Sequence, residues 1–148
     1  MQIINALYSV PQISVLIDQL PKPQYDMLKF YLDFWHKHRD VLLDGELKAY
    51  HPEANYSLVT AETTDKLVAT AFSSKVLNLD KDYQEIVFVN GTGSQKLLVD
   101  KASGLDGYRY TIKSCTGETL VSEPVASKTE VYGFDVPPSG MLVLEKTV

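Results

Sequence analysis

The sequence predicts a mainly-β fold: an antiparallel β-sandwich preceded by an N-terminal helical segment and one long amphipathic helix. Three observations carry that prediction. The stretch from Pro23 to Gly45 repeats its apolar residues at helical spacing. After Gly45 the chain turns to short runs rich in Val, Ile, Tyr, Phe and Thr, the residues that suit a pleated, half-buried surface. Those runs are separated by turn chemistry, at Asn90-Gly91, Ser103-Gly104, Asp106-Gly107, Thr116-Gly117 and Pro137-Pro138-Ser139-Gly140.

Taken in order, Ser9 is placed to cap a short helix or turn reaching Ile17, with Pro11 in its first turn. Ile13–Ile17 is short enough to read as extended instead. Pro21 and Pro23 stop that segment and restart the chain. The main helix has Pro23 near its start and Asp26 close to its positive end, and it closes at Gly45, read as a left-handed C′ residue. Strands are predicted at Tyr56–Glu62, Lys66–Phe72, Lys75–Leu79, Glu85–Asn90, Lys96–Asp100, Tyr108–Lys113, Thr119–Ser122, Thr129–Phe134 and Met141–Lys146. On Tyr108–Lys113 the pleat sends Tyr108, Tyr110 and Ile112 one way and Arg109, Thr111 and Lys113 the other. The expected core is Phe30, Phe34, Trp35, Leu42, Val68, Ile86, Phe88, Leu98, Tyr110, Ile112, Val131 and Val143. The natural division lies between a helical segment, 1–46, and a sandwich domain, 47–148.

The helix is unusual in its width. At about 100° per residue its apolar side chains span roughly 220°, more than twice the stripe a surface helix needs. The sandwich covers one side. Leu28, Leu32, Trp35 and Arg39 are therefore expected to form a domain interface whose partner lies outside this chain, and a lone copy is expected to self-associate through that face.

Composition narrows the partners. The 148 residues are 45% hydrophobic and 22% charged, with a net charge of −5. With no basic cluster, nucleic acid is not an expected partner. No apolar run reaches the about 18 residues of a membrane span, so no membrane partner is expected either. The start of the chain lacks the basic region of a signal peptide. One cysteine, Cys115, excludes an internal disulfide and any multi-cysteine metal site.

Sites of chemistry are weakly marked. His36 and His38 stand about 200° apart on a helix and cannot share a metal; His38, inside the apolar arc, reads as a hydrogen-bonded packing residue, and His51 as solvated. Gly91-Thr92-Gly93 lacks the helix and the Lys-Ser/Thr pair of a phosphate loop and reads as a hairpin turn. Asn55 and Asn90 begin glycosylation-type tripeptides. The carboxylates of Asp80, Asp82, Asp100, Asp106 and Asp135 sit at turns and solvated faces, and nothing pairs two of them as glycoside chemistry requires. No catalytic residue, metal site or cofactor is expected.

Ser9-Val10-Pro11-Gln12-Ile13-Ser14 and Phe34–Leu47 (FWHKHRDVLLDGEL) resemble the end of the catalytic region in α-galactosidase (melibiase) type enzymes of glycoside hydrolase family 36. There a helix of F-W-x-x-H-R-x-x-L-L-x-G-x-L character closes a (β/α)₈ barrel and leads into a C-terminal sandwich. Pro52–Tyr56, Ile86–Asn90 and Val136–Gly140 fit that sandwich. The resemblance implies a C-terminal piece of a larger enzyme, with the catalytic barrel as partner. The family's two catalytic aspartates would lie upstream, and no residue here matches them. The chain is thus expected to be a non-catalytic supporting domain. The alternative is a carbohydrate-binding module, with Tyr50, Tyr56, Tyr83, Tyr108, Tyr110 and Tyr132 as candidate stacking residues.

Overall fold

The computed structural model describes Ile4, Leu7 and residues 20–50, 57–73, 76–125 and 131–147. The expected N-terminal helix from Ser9, the extended alternative at Ile13–Ile17, His51, Asn55, Tyr56 and the start of the Thr129 strand lie outside the described residues.

Helix α1 (Lys22–Lys37) begins after Pro21 and carries Pro23 in its first turn, where a missing N–H costs no helical hydrogen bond. Met27, Tyr31, Phe34 and Trp35 recur at i, i+4, i+7 and i+8 and are its buried face. The helix does not run unbroken to Gly45. His38 leaves helical geometry (φ −108°, ψ 19°), and a short helix α2 (Arg39–Asp44) follows, burying Val41 and Leu42.

Ten strands follow: β1 (Glu46–Tyr50), β2 (Leu58–Glu62), β3 (Lys66–Ala71), β4 (Val76–Asn78), β5 (Glu85–Asn90), β6 (Lys96–Asp100), β7 (Tyr108–Lys113), β8 (Thr119–Pro124), β9 (Val131–Asp135) and β10 (Met141–Lys146). They form a seven-stranded sheet, β1-β2-β3-β5-β10-β7-β8, and a three-stranded sheet, β4-β6-β9. The fold is mainly β and sandwich-like, as expected, but its sheets are mixed. β3 pairs with β5 in parallel, and so does β4 with β6. The chain steps between the sheets from β3 through β4 and β5 to β6, so each return to a sheet runs in the same direction as the strand it joins.

The seven-stranded sheet is the middle of three layers. Ile86 and Phe88 of β5, with Leu142 and Leu144 of β10, pack toward the small sheet in a core completed by Leu97, Val99, Tyr132 and Phe134. Their neighbours Val87, Val89, Met141 and Val143 pack the other way, against Met27, Tyr31, Phe34, Trp35, Val41 and Leu42. Burial on both faces is why β5 and β10 read as continuous apolar runs and not as alternating ones. The helical segment and the sandwich domain thus share a core across the 46/47 division.

Four expectations about the core change. Val131 is 50% exposed and Leu98 half-buried, because β9 and β6 turn Tyr132, Phe134, Leu97 and Val99 inward. Period-two alternation leaves their neighbours outside. Phe30 and Tyr110 are half-buried at the margins of the two cores.

Gly45 is also reassigned. Its backbone is extended (φ −73°, ψ 166°), not left-handed. Glycine is needed there for space: a Cβ would run into the carbonyl oxygen of Val41 and lie 2.8 Å from that of Glu62. At the far end of the fold, the buried Tyr31 hydroxyl donates to the carbonyl of Ser139. That bond pins α1 to the turn before β10, and burial pushes the Tyr31 pKa up.

Candidate functional site

The outer side of α1 holds two of the four predicted interface residues together. Leu28 and Leu32 are half-buried and, with Tyr25, Lys29, Asp33 and His36, line a shallow groove of 260 Å³. Tyr25 at its edge is 41% exposed. The other two lie elsewhere. Trp35 is only 5% exposed, already covered within this chain. Arg39 is exposed, with its guanidinium 5.7 Å from the Trp35 ring centre, a cation–π lid and not a free contact. The wide apolar arc is therefore divided. The inner face is used by the sheet, and the outer face keeps the groove.

A second feature lies beneath the helix. A cleft of 480 Å³ between α1 and the outer face of β5, β10, β7 and β8 is lined by Phe34, His38, Glu85, Lys113 and Val143, among others. His38 is buried, as a packing residue should be, with its ring 4.5 Å from that of Phe34. The hydrogen bond expected of it is not seen at Nδ1, which has no partner among the described residues and stands 3.8 Å from Glu85 Oε1, too far for a bond. Burial, then Lys37, Lys66 and Lys113, lower its pKa to about 4, with Asp40 opposing. His38 is thus neutral when folded and charged when unfolded below about pH 6.5. Stability is expected to be independent of this group above pH 6.5 and to fall as pH drops from 6.5 toward 4, by about 3 kcal/mol in all. Urea midpoints at pH 7 and pH 5 check this, and His38→Phe is expected to flatten the dependence over that interval.

The third feature is at the β1 end of the large sheet. Antiparallel register sets Glu46 opposite Glu62, Lys48 opposite Thr60 and Tyr50 opposite Leu58. Because Leu58 faces the inter-sheet core, period two puts Glu46, Lys48, Tyr50, Thr60 and Glu62 on that same side. These residues line a 440 Å³ cleft with Leu77, Asn78, Asp80, Lys81 and Tyr83. Glu62 is held at its centre. The Tyr83 hydroxyl donates to Glu62 Oε2 at 2.5 Å, Lys81 Nζ lies 3.4 Å from the same oxygen, and Lys48 Nζ lies 3.5 Å from Oε1. The Tyr83 hydrogen bond and the two lysines hold Glu62 below the usual carboxylate range, against its partial burial. Sequence reasoning missed this site because β1 was not predicted. The trace of it is the alternation of Glu46, Lys48 and Tyr50.

The remaining candidates resolve as structure. Tyr83, Tyr108 and Tyr132 are buried: Tyr108 Oη accepts from Tyr83 N at 2.9 Å and donates to Tyr83 O at 2.8 Å, and Tyr132 Oη accepts from Leu105 N at 3.0 Å. Tyr110 is half-buried and donates to Glu123 at 3.2 Å. Of the proposed stacking residues within the described part, Tyr50 alone is strongly exposed, at 41%. Asn90 is fully buried; its Nδ2 donates to the carbonyls of Ser94 and Val136, and its Oδ1 accepts from Thr92 N. The Asn90-Gly91-Thr92 tripeptide is a turn staple, closed to glycosylation in the folded chain. Asp82 bridges the buried Lys101 at 2.6 Å and Lys146 at 2.7 Å, a clamp between loops and β10. Among the described residues, no group of three His, Cys, Asp or Glu could hold a metal ion, and no helix is long and apolar enough to cross a membrane.

No protein-family model, curated protein or solved structure matches the chain.

Proposed function

We propose that this chain is a non-catalytic C-terminal domain that supports the catalytic barrel of an α-galactosidase-like glycoside hydrolase, docking through the outer face of α1. The observation that carries the reading is the Leu28–Leu32 groove. It is an apolar strip on a helix whose opposite face packs on the large sheet. The mounting of that helix supports the same role. Tyr31 ties it to Ser139, and Gly45 seats the end of the following helix α2 against Glu62. The resemblance of Phe34–Leu47 to the barrel-closing helix of glycoside hydrolase family 36 supplies the identity of the partner.

The test is reconstitution. An α-galactosidase barrel expressed without its own C-terminal domain should co-purify with this chain and gain thermal stability. Leu28→Lys and Leu32→Lys should abolish both effects while leaving this chain folded. Failure of the wild-type chain to associate with, or protect, such a barrel would sink the proposal.

A further inference from the structure

The cleft at the β1 end has the parts of a small-molecule site. The seven-stranded sheet extends past the three-stranded one, so β1 overhangs β4 and its inward side chains meet solvent instead of a second layer. All five residues of β1 are exposed, yet those on this side do not point into open water at random. They converge with Glu62 and Asn78 around a recess of 440 Å³, within the about 300–1,000 Å³ typical of ligand pockets. Glu62 is fixed from both sides by Tyr83, Lys81 and Lys48, the preorganisation that makes a polar anchor useful to a ligand.

The chemistry of the lining narrows the occupant. Three carboxylates (Glu46, Glu62, Asp80) face two ammonium groups (Lys48, Lys81), so neither a phosphate nor any other strong anion is favoured. The lining supplies donors (Lys48, Lys81), acceptors (Glu46, Glu62, Asp80) and an amide that does both (Asn78), which suits hydroxyl groups that donate and accept in turn. Tyr50 adds an exposed aromatic ring, whose negative face attracts the weakly positive C–H bonds on one side of a saturated ring.

We propose that this cleft binds a neutral cyclic polyol of monosaccharide size, stacked on Tyr50 and hydrogen-bonded by Glu62, Lys48 and Asn78. The site lies on β1 and β4, not on the α1 groove, and it does not depend on the docking role.

The experiment is a titration of the isotope-labelled chain, followed by amide shifts. The probes are methyl α-galactopyranoside, methyl β-glucopyranoside and myo-inositol, with spermidine and inorganic phosphate as charged comparators. At least one polyol should produce saturable shifts at Glu46–Tyr50 and residues 78–81, with Kd about 1–10 mM. Tyr50→Ala should weaken that binding about tenfold with an unchanged unfolding midpoint, as should Asn78→Ala. Three results would overturn the proposal: no saturable shift with any polyol, shifts with spermidine or phosphate alone, or polyol binding indifferent to Tyr50→Ala.

Discussion

Val89→Asp is expected to leave the chain largely unfolded at room temperature. Val89 is fully buried on the helix side of β5, in a strand whose other face is buried against the small sheet. A carboxylate there has no water and no cation to meet, and an uncompensated buried charge costs about 3–5 kcal/mol. That is comparable to the whole margin of a domain at the low end of the usual range of about 5–15 kcal/mol. Val131→Asp is the control. Its side chain is 50% exposed, so the change should stay within about 0.5 kcal/mol. The single tryptophan, Trp35, lies in the same core as Val89, and its fluorescence in urea reads both variants. Equal midpoints for the two would contradict the three-layer arrangement.

Gly45→Ala is expected to cost about 2–3 kcal/mol, through overpacking at the joint of α2 and β2. The added Cβ would collide with the Val41 carbonyl and crowd that of Glu62, and neither backbone can move without opening the helix end or the β1–β2 ladder. Gly45→Asn separates this cause from a conformational one. Asparagine tolerates left-handed geometry, so a C′ glycine would accept it with little loss. At the extended Gly45, Asn should be at least as damaging as Ala. Thermal unfolding of the two variants decides between the readings.

What could be read in the sequence was local and periodic. The bounds of β5, β6, β7 and β10 follow from turn residues and β-branched runs, and the inner face of α1 from spacing alone. What could not be read depends on distant partners. β1 escaped because Glu46-Leu47-Lys48-Ala49-Tyr50 has no buried face, and its strand geometry comes from pairing with β2. The parallel pairs arise from chain crossings between layers, which no local pattern records. The break at His38 sits inside an unbroken helical pattern. The cleft around Glu62 required Glu46 and Glu62 to meet across strands. The Leu28–Leu32 groove was the exception, since an apolar arc wider than one contact can fill is visible on a helical wheel. Even there, Trp35 belongs by sequence both to the core and to the interface, and its burial matches the core assignment.

The central claim is that the outer face of α1 is a docking surface, and the solution mass of the isolated chain tests it most directly. Light scattering after size exclusion should show a concentration-dependent dimer or larger species for the wild-type chain. Leu28→Lys and Leu32→Lys should be monomeric and still folded, with a stability loss of no more than about 1 kcal/mol, since both side chains are half-buried at the helix surface. A wild-type monomer that both substitutions destabilise by several kcal/mol would contradict the account, because Leu28 and Leu32 would then belong to this chain's own core.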